Sequence, residues 1–171
     1  MSLDSLLKQI GKDKAQNIPP VEKWHPELSG DIDMEIRADG SWWHQGEVFK
    51  RQELVNLFAS ILRHEDNDYF LITPVEKWRL RVEDRPLFIS MIEKTEQGIS
   101  LLSTTADSFV LDEEHPLKVS SLNGVEVAEV KVRHDLWARF TRNAWYDLLE
   151  LAEEENGHYF VESNGHKFAL S

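Results

Sequence analysis

Apolar residues recur every three or four positions in three stretches of the chain and alternate with polar ones in much of the rest. Leu3, Leu6, Leu7 and Ile10 predict a short docking helix over 2–10, with Ser2 as its N-cap and Gly11 as its stop. The polar run Lys12 to Pro20 ends in two prolines, which favour extended backbone, and reads as a linker. Alternation then predicts a hairpin from Asp33 to His44 about Asp39-Gly40, a pair suited to a type I′ turn. A second helix follows Phe49-Lys-Arg51, with Leu54, Val55, Leu57, Phe58, Ile61 and Leu62 on one face. Strands Tyr69 to Thr73 and Lys77 to Leu80 come next, parted by Pro74-Val-Glu.

The same order returns near the C-terminus. Leu117 to Leu122, the Asn123-Gly124 turn and the strand Val125 to Arg133 precede Phe140-Thr-Arg142. A helix with Trp145, Leu148, Leu149 and Ala152 on one face leads to Tyr159–Ser163, the Asn164-Gly165 turn and Lys167–Leu170. Phe49 and Arg51 match Phe140 and Arg142 at an offset of 91, and Tyr69, Phe70, Lys77 and Leu80 match Tyr159, Phe160, Lys167 and Leu170 at 90. A shared order favours duplication of a hairpin–helix–hairpin unit over chance recurrence of common turn and core residues. Between the copies, 86–94, 98–105 and 107–112 alternate with a period near two and predict antiparallel strands that enlarge the second sheet. The expectation is an α+β chain of about nine or ten strands and three helices. It comprises an N-terminal helix and linker over 1–20, a repeat domain over 21–84 and a repeat domain with extra strands over 85–171.

Composition narrows the chemistry. An apolar content of 41% in 171 residues supplies buried cores without disulfides or structural metals. The absence of cysteine removes thiol nucleophiles, zinc ribbons and thiolate-bound clusters. With 19 Lys+Arg against 31 Asp+Glu, the net charge of −12 repels polymeric phosphate and anionic lipid. Neither a nucleic-acid polymer nor a membrane is expected as a partner. A cytoplasmic location is read from the lack of a basic leader and of an apolar run of ~20 residues. No phosphate loop, dinucleotide glycine fingerprint, Gly-x-Ser-x-Gly elbow or His-Glu-x-x-His occurs. His158 and His166 flank a two-residue turn too unequally to share a metal, and His44 with Glu47 lacks a third ligand. A calcium loop beginning at Asp66 would need Gly and Glu where Leu71 and Lys77 stand, so 64–68 reads as a solvated helix end. No metal, cofactor or catalytic carboxylate pair is expected.

The basic residues are few enough for their placement to matter. Arg51 and Arg142 both fall at helix starts, where the positive end of the macrodipole disfavours a cation by about 0.3–1 kcal/mol. Either a carboxylate such as that of Glu53 offsets this, or a bound anion shared with the free N–H groups does. Lys77, Arg79 and Arg81 alternate with Trp78, Leu80 and Val82, so one strand face carries three cations. That stripe is either salt-bridged or an anion site. Trp42, Trp43 and Trp137 lie near strand-to-helix connections, as do His44, Arg133, His134 and Arg139. They are core residues, or an aromatic and cationic surface suited to a nucleotide.

The run Trp42-Trp-His-Gln-Gly46, Arg51, Leu57-Phe-Ala, Tyr69-Phe-Leu-Ile-Thr-Pro-Val-Glu-Lys-Trp-Arg-Leu-Arg-Val-Glu-Asp84 and His115-Pro-Leu resembles the bacterial DUF1285 family from about residue 20 onward. The resemblance implies a duplicated core, a C-terminal domain superficially like a pleckstrin-homology fold, a ligand site between domains, and a signalling role with a nucleotide-like ligand. It brings no enzymatic activity. Its motif positions are His44, Arg51, Thr73, Lys77 and Glu83-Asp84, with Arg133, Arg139 and Arg142 carried over beside them. The resulting expectation is a bacterial sensor of a small anionic, nucleotide-like ligand in which Arg51 and Arg142 hold phosphate. Trp42 and His44 line the base or sugar, and Lys77, Arg79 and Arg81 raise the local potential. The alternatives are an adaptor that binds a protein through the C-terminal sheet, and a hydrolase with His44 or His134 as base.

Overall fold

The computed structural model describes residues 3–11 and 19–171. The expected Ser2 cap and most of the expected linker lie outside the described residues. The chain divides into two compact units, Met1–Asp84 and Arg85–Ser171.

In the first unit α1 (Leu3–Gly11) and a 3-10 turn at Val21–Lys23 precede β1 (Gly30–Ile36), β2 (Trp42–His44), β3 (Glu47–Val48), α2 (Gln52–Ser60), β4 (Leu62–Glu65), β5 (Asp68–Ile72) and β6 (Lys77–Val82). The strands form one sheet in the order β3-β2-β1-β6-β5-β4, antiparallel except at the central β1–β6 seam. Alternation sorts β1 cleanly: Ile32, Met34 and Ile36 are buried, and Asp31, Asp33 and Glu35 face the other way. In α2, Val55, Phe58 and Ala59 reach the core.

Three local expectations are corrected here. The Asp39-Gly40 turn is a three-residue loop with a positive φ at Gly40 alone, 87°. The Asp39 carboxylate accepts from Ser41 N–H at 2.9 Å and Ser41 Oγ at 2.5 Å, which fixes that loop and holds the carboxyl below its ordinary pKa. The second helix stops at Ser60, whose hydroxyl donates to the Leu57 carbonyl at 2.5 Å; Ile61 and Leu62 are buried, but Leu62 opens β4 opposite Leu71. Residues 64–68 are not a helix end but a hairpin, because Asp66 and Asn67 take φ of 53° and 69°, a conformation that Asp and Asn tolerate.

The second unit runs β7 (Leu87–Thr95), β8 (Gly98–Ser103), β9 (Ser108–Val110), β10 (Leu117–Leu122), β11 (Val125–Arg133), β12 (Leu136–Phe140), α3 (Arg142–Glu150), β13 (Glu153–Glu155), β14 (His158–Ser163) and β15 (His166–Ala169). A six-stranded sheet has the order β10-β11-β12-β7-β8-β9, with β12 parallel to β7, and β13-β14-β15 form a separate three-stranded sheet. Thr141 caps α3 through Ala144 N–H, and Ala144, Trp145 and Leu148 are its buried face. The expected Leu149 is 38% exposed and Ala152 lies beyond the helix end. The described residues hold fifteen strands, more than expected, because β3, β9 and β13 are too short to show alternation and β12 follows β11 through a two-residue turn.

The duplication is written in the contacts as well as the order. Lys77 Nζ meets Glu65 Oε1 at 3.1 Å and stands 4.4 Å from the centre of the Phe70 ring. Ninety residues on, Lys167 Nζ meets Glu155 Oε2 at 3.0 Å and stands 4.7 Å from the Phe160 ring. The Glu155 carboxylate holds the Lys167 ammonium above its ordinary pKa, with Glu162 and Glu153 adding to the effect.

One turn in the second unit carries backbone strain. Ala106, between β8 and β9, has φ of 71°, which costs an L-residue about 1 kcal/mol. Ala106→Gly is expected to raise stability by about 1 kcal/mol, read as a later urea midpoint; an earlier midpoint would contradict the assignment.

Candidate functional site

The candidate residues fall into three groups. The first is ion-paired within its own unit. Arg79 Nη1 lies 3.2 Å from Asp31 Oδ1, and Arg81 Nη2 lies 2.8 Å from Asp33 Oδ1 and 3.8 Å from Glu35 Oε2. With the Lys77–Glu65 pair, the cationic row of β6 is matched by carboxylates of β1 and β4, and Asp33 raises the Arg81 pKa further. Arg139 Nη1 lies 3.8 Å from Glu129 Oε2, a carboxylate only 3% exposed that also accepts from Arg85 Nε at 2.6 Å. Arg133 Nη1 pairs with Asp107, both nearly enclosed, and Asp107 also accepts from Ser103 and Thr105 hydroxyls at 3.2 Å. Burial pushes the Arg133 pKa down, and the Asp107 charge opposes that shift.

The second group is held inside the fold. Trp42 is a core residue, so its ring is not offered to solvent. Thr73 is 1% exposed, and its Oγ1 accepts from Val75 N–H at 3.3 Å and Glu76 N–H at 2.9 Å, closing the Pro74-Val75 turn. Its repeat partner Ser163, equally buried, uses the same position differently: Oγ accepts from Ile99 N–H at 2.8 Å and donates to the Leu111 carbonyl at 2.6 Å, tying β14 to the ends of β8 and β9. Glu83, by contrast, is exposed, and accepts from Ala38 N–H at 2.9 Å beside the first hairpin loop.

The third group faces water. Arg51 is the N-cap residue of α2 and makes no side-chain cap; its guanidinium is 71% exposed and touches Glu53 at 3.5 Å. Arg142 opens α3 and is exposed. His44 is half-buried against Phe49 at a ring separation of 6.0 Å, and His134 is exposed at φ of 51° in the β11–β12 turn. Among the described residues no group of three or more metal-ligating side chains assembles. Likewise, no described helix is long and apolar enough to cross a membrane.

Sequence reasoning missed two features. One is the buried Ser103–Thr105–Asp107–Arg133 cluster, whose Ser-Thr-Thr-Ala-Asp stretch reads only as the adjoining ends of two strands. The other is a cleft of about 520 Å³ in the second unit, walled by residues 94–99 and 162–165 with Leu151 and Glu153. Two hairpin turns 64 residues apart make it, and no local pattern announces such a meeting.

Comparisons with known proteins agree on the family. The model "Domain of unknown function (DUF1285), N-terminal domain" matches residues 19–85, and "Protein of unknown function (DUF1285), C-terminal domain" matches 87–170. No curated protein matches. Among solved structures, a DUF1285 family protein from Silicibacter pomeroyi DSS-3 is 36% identical with a TM-score of 0.88, over 99% of this chain and 96% of that one. A DUF1285 family protein from Shewanella baltica OS155 is 28% identical with a TM-score of 0.58, over 70% of this chain and 91% of that one. With both family models matched in order and nearly end to end, this chain belongs to the bacterial DUF1285 family.

Proposed function

We propose that this protein is a non-enzymatic sensor for compact anions, held at matched helix starts by Arg51 in the first unit and by Arg142 in the second, whose occupancy serves as a signal. One observation carries the reading. After the ion pairs of Lys77, Arg79, Arg81, Arg133 and Arg139 are assigned, the exposed cations at the two matched helix starts are Arg51 and Arg142. A guanidinium at a helix start sets its charge and planar donors beside the positive end of the macrodipole, a combination suited to an anion. The nucleotide-like character of the ligand has less support than its charge, since Trp42 is in the core and His44 already stacks on Phe49.

Thermal unfolding with inorganic phosphate, pyrophosphate and a nucleotide panel tests this. A ligand at 100 times its Kd stabilises by about 2.7 kcal/mol. The expected result is a rise in Tm for the native chain that disappears in Arg51→Gln/Arg142→Gln. No shift with any compound at millimolar concentration, or the same shift in the double variant, would overturn the proposal.

A second reading, an adaptor using the second unit, is favoured by the cross-strand pair Met91 and Leu102, 61% and 37% exposed on β7 and β8. It requires a protein partner whose binding Met91→Lys abolishes and Arg51→Gln/Arg142→Gln leaves intact.

A further inference from the structure

The sequence carries three Asn-Gly pairs, 123–124, 156–157 and 164–165, and each closes a two-residue hairpin turn of the second unit. Glycine, with no Cβ, lets its amide nitrogen approach the preceding carboxamide more easily than any other residue. In that approach the nitrogen loses its proton and bonds to the asparagine Cγ, the carboxamide nitrogen leaves as ammonia, and a five-membered succinimide closes. One water added to either ring carbonyl then gives aspartate, or isoaspartate with the chain rerouted through Cβ.

All three turns oppose this chemistry while closed. Their asparagines have φ of 52°, 55° and 51°, and their glycines 80°, 81° and 79°, the left-handed pairs of type I′ turns. Left-handed backbone has ψ of about +47°, which turns the next nitrogen away from Cβ, so attack waits for the turn to open. The rate at each site follows how often its turn opens.

The ties that resist opening differ. Asn164 is flanked by the pair Ser163 and His166. Ser163 is 1% exposed, with its hydroxyl bonded to Ile99 N–H at 2.8 Å and to the Leu111 carbonyl at 2.6 Å, and His166 Nδ1 lies 3.3 Å from Glu113 Oε1. Gly98 closes on the same turn, since a Cβ on it would lie 2.8 Å from the Asn164 backbone nitrogen. Asn123 is flanked instead by Leu122 and Val125, 50% and 61% exposed, where the edge strand β10 turns into β11. Asn156 is flanked by exposed Glu155 and His158, at the end of the three-residue edge strand β13.

We propose that Asn123 and Asn156 are sites of spontaneous deamidation in the folded protein, and that Asn164, in the same Asn-Gly pair, is protected by the docking of its turn on β8 and the end of β9. Each event replaces a neutral carboxamide by a carboxylate, and the isoaspartate product lengthens the backbone of a turn built for two residues. The anion site proposed above is not needed for it.

Site-resolved mass spectrometry of the full chain aged at neutral pH tests it, with isoaspartate told from aspartate by fragmentation. In the native chain Asn123 and Asn156 are expected to convert at least about tenfold faster than Asn164, and in urea the three are expected to agree within about threefold, because the tertiary ties are gone. Ser163→Ala, which removes the ties to Ile99 and Leu111, is expected to speed conversion of Asn164; the urea comparison decides by itself if that variant does not fold. Equal rates at the three sites in the native chain, no conversion at Asn123 and Asn156, or an Asn164 that stays slow in urea would overturn the proposal.

Discussion

Gly98→Ala is expected to destabilise the second unit by about 4 kcal/mol, from backbone strain and overpacking together. Gly98 opens β8 at φ of +137°, where L side chains are rarely found. A Cβ there would lie 2.5 Å from Ser163 Oγ, 2.8 Å from the Asn164 backbone nitrogen and 3.1 Å from Val110 Cγ1. Neither of the first two contacts can give way cheaply, since one is backbone and the other is the hydroxyl already bonded to Ile99 and Leu111. Gly165→Ala is the matched control: φ is +79° and the space is open, so only conformational strain of about 1–2 kcal/mol is added. Hydrogen exchange of the amides in 85–171 reports the difference where it arises. Equal losses in the two variants would show that the close approach of the two turns is not what fixes residue 98.

Asp107→Ala is expected to cost about 3–5 kcal/mol, the range for removing one partner of a buried ion pair. The Arg133 side chain is 10% exposed, so without Asp107 little water can reach its charge to replace the carboxylate. Ser103 and Thr105 hydroxyls lose an acceptor in the same substitution. Asp107→Ala/Arg133→Met removes both charges, and is expected to regain most of the loss, because the penalty comes from a buried cation deprived of this carboxylate rather than from a large net value of the pair. Urea unfolding of the three proteins decides: a double variant no more stable than Asp107→Ala would mean that the hydroxyl contacts dominate.

What was legible in the sequence follows the range of the interactions involved. The duplicated order could be read because hairpins and short helices are set by residues a few positions apart, as at Asn123-Gly124 and Asn164-Gly165, whose φ pairs of 52°/80° and 51°/79° are those of type I′ turns. The basic stripe of β6 was also legible, but not its partners: Asp31 and Asp33 lie 48 residues earlier and meet Arg79 and Arg81 only through a parallel seam. Thr73 and Ser163 show the same limit. They occupy one repeat position and both are buried, but one closes its own turn while the other bridges to residues 64 and 52 positions away. Alternation marked the cationic face of β6 without showing which strand is its neighbour, so helix-start arginines and stripe arginines looked equally available.

The two parallel seams bear on how fast each unit can fold. Every antiparallel neighbour pair in the first unit can zip up from a nearby turn, a process of about 1–10 μs for an isolated hairpin. The β1–β6 seam cannot, since Asp31 and Arg79 must find each other across a loop that includes α2 and four strands. In the second unit Leu87 meets Ala138 on the same terms, across β8 to β11. Closing such loops has an entropic cost that local contacts do not share. During synthesis the β1–β2 hairpin therefore waits for residue 82 to emerge before its sheet is complete, whereas the second unit's large sheet can close at Phe140, before α3 and the β13–β15 meander have been made.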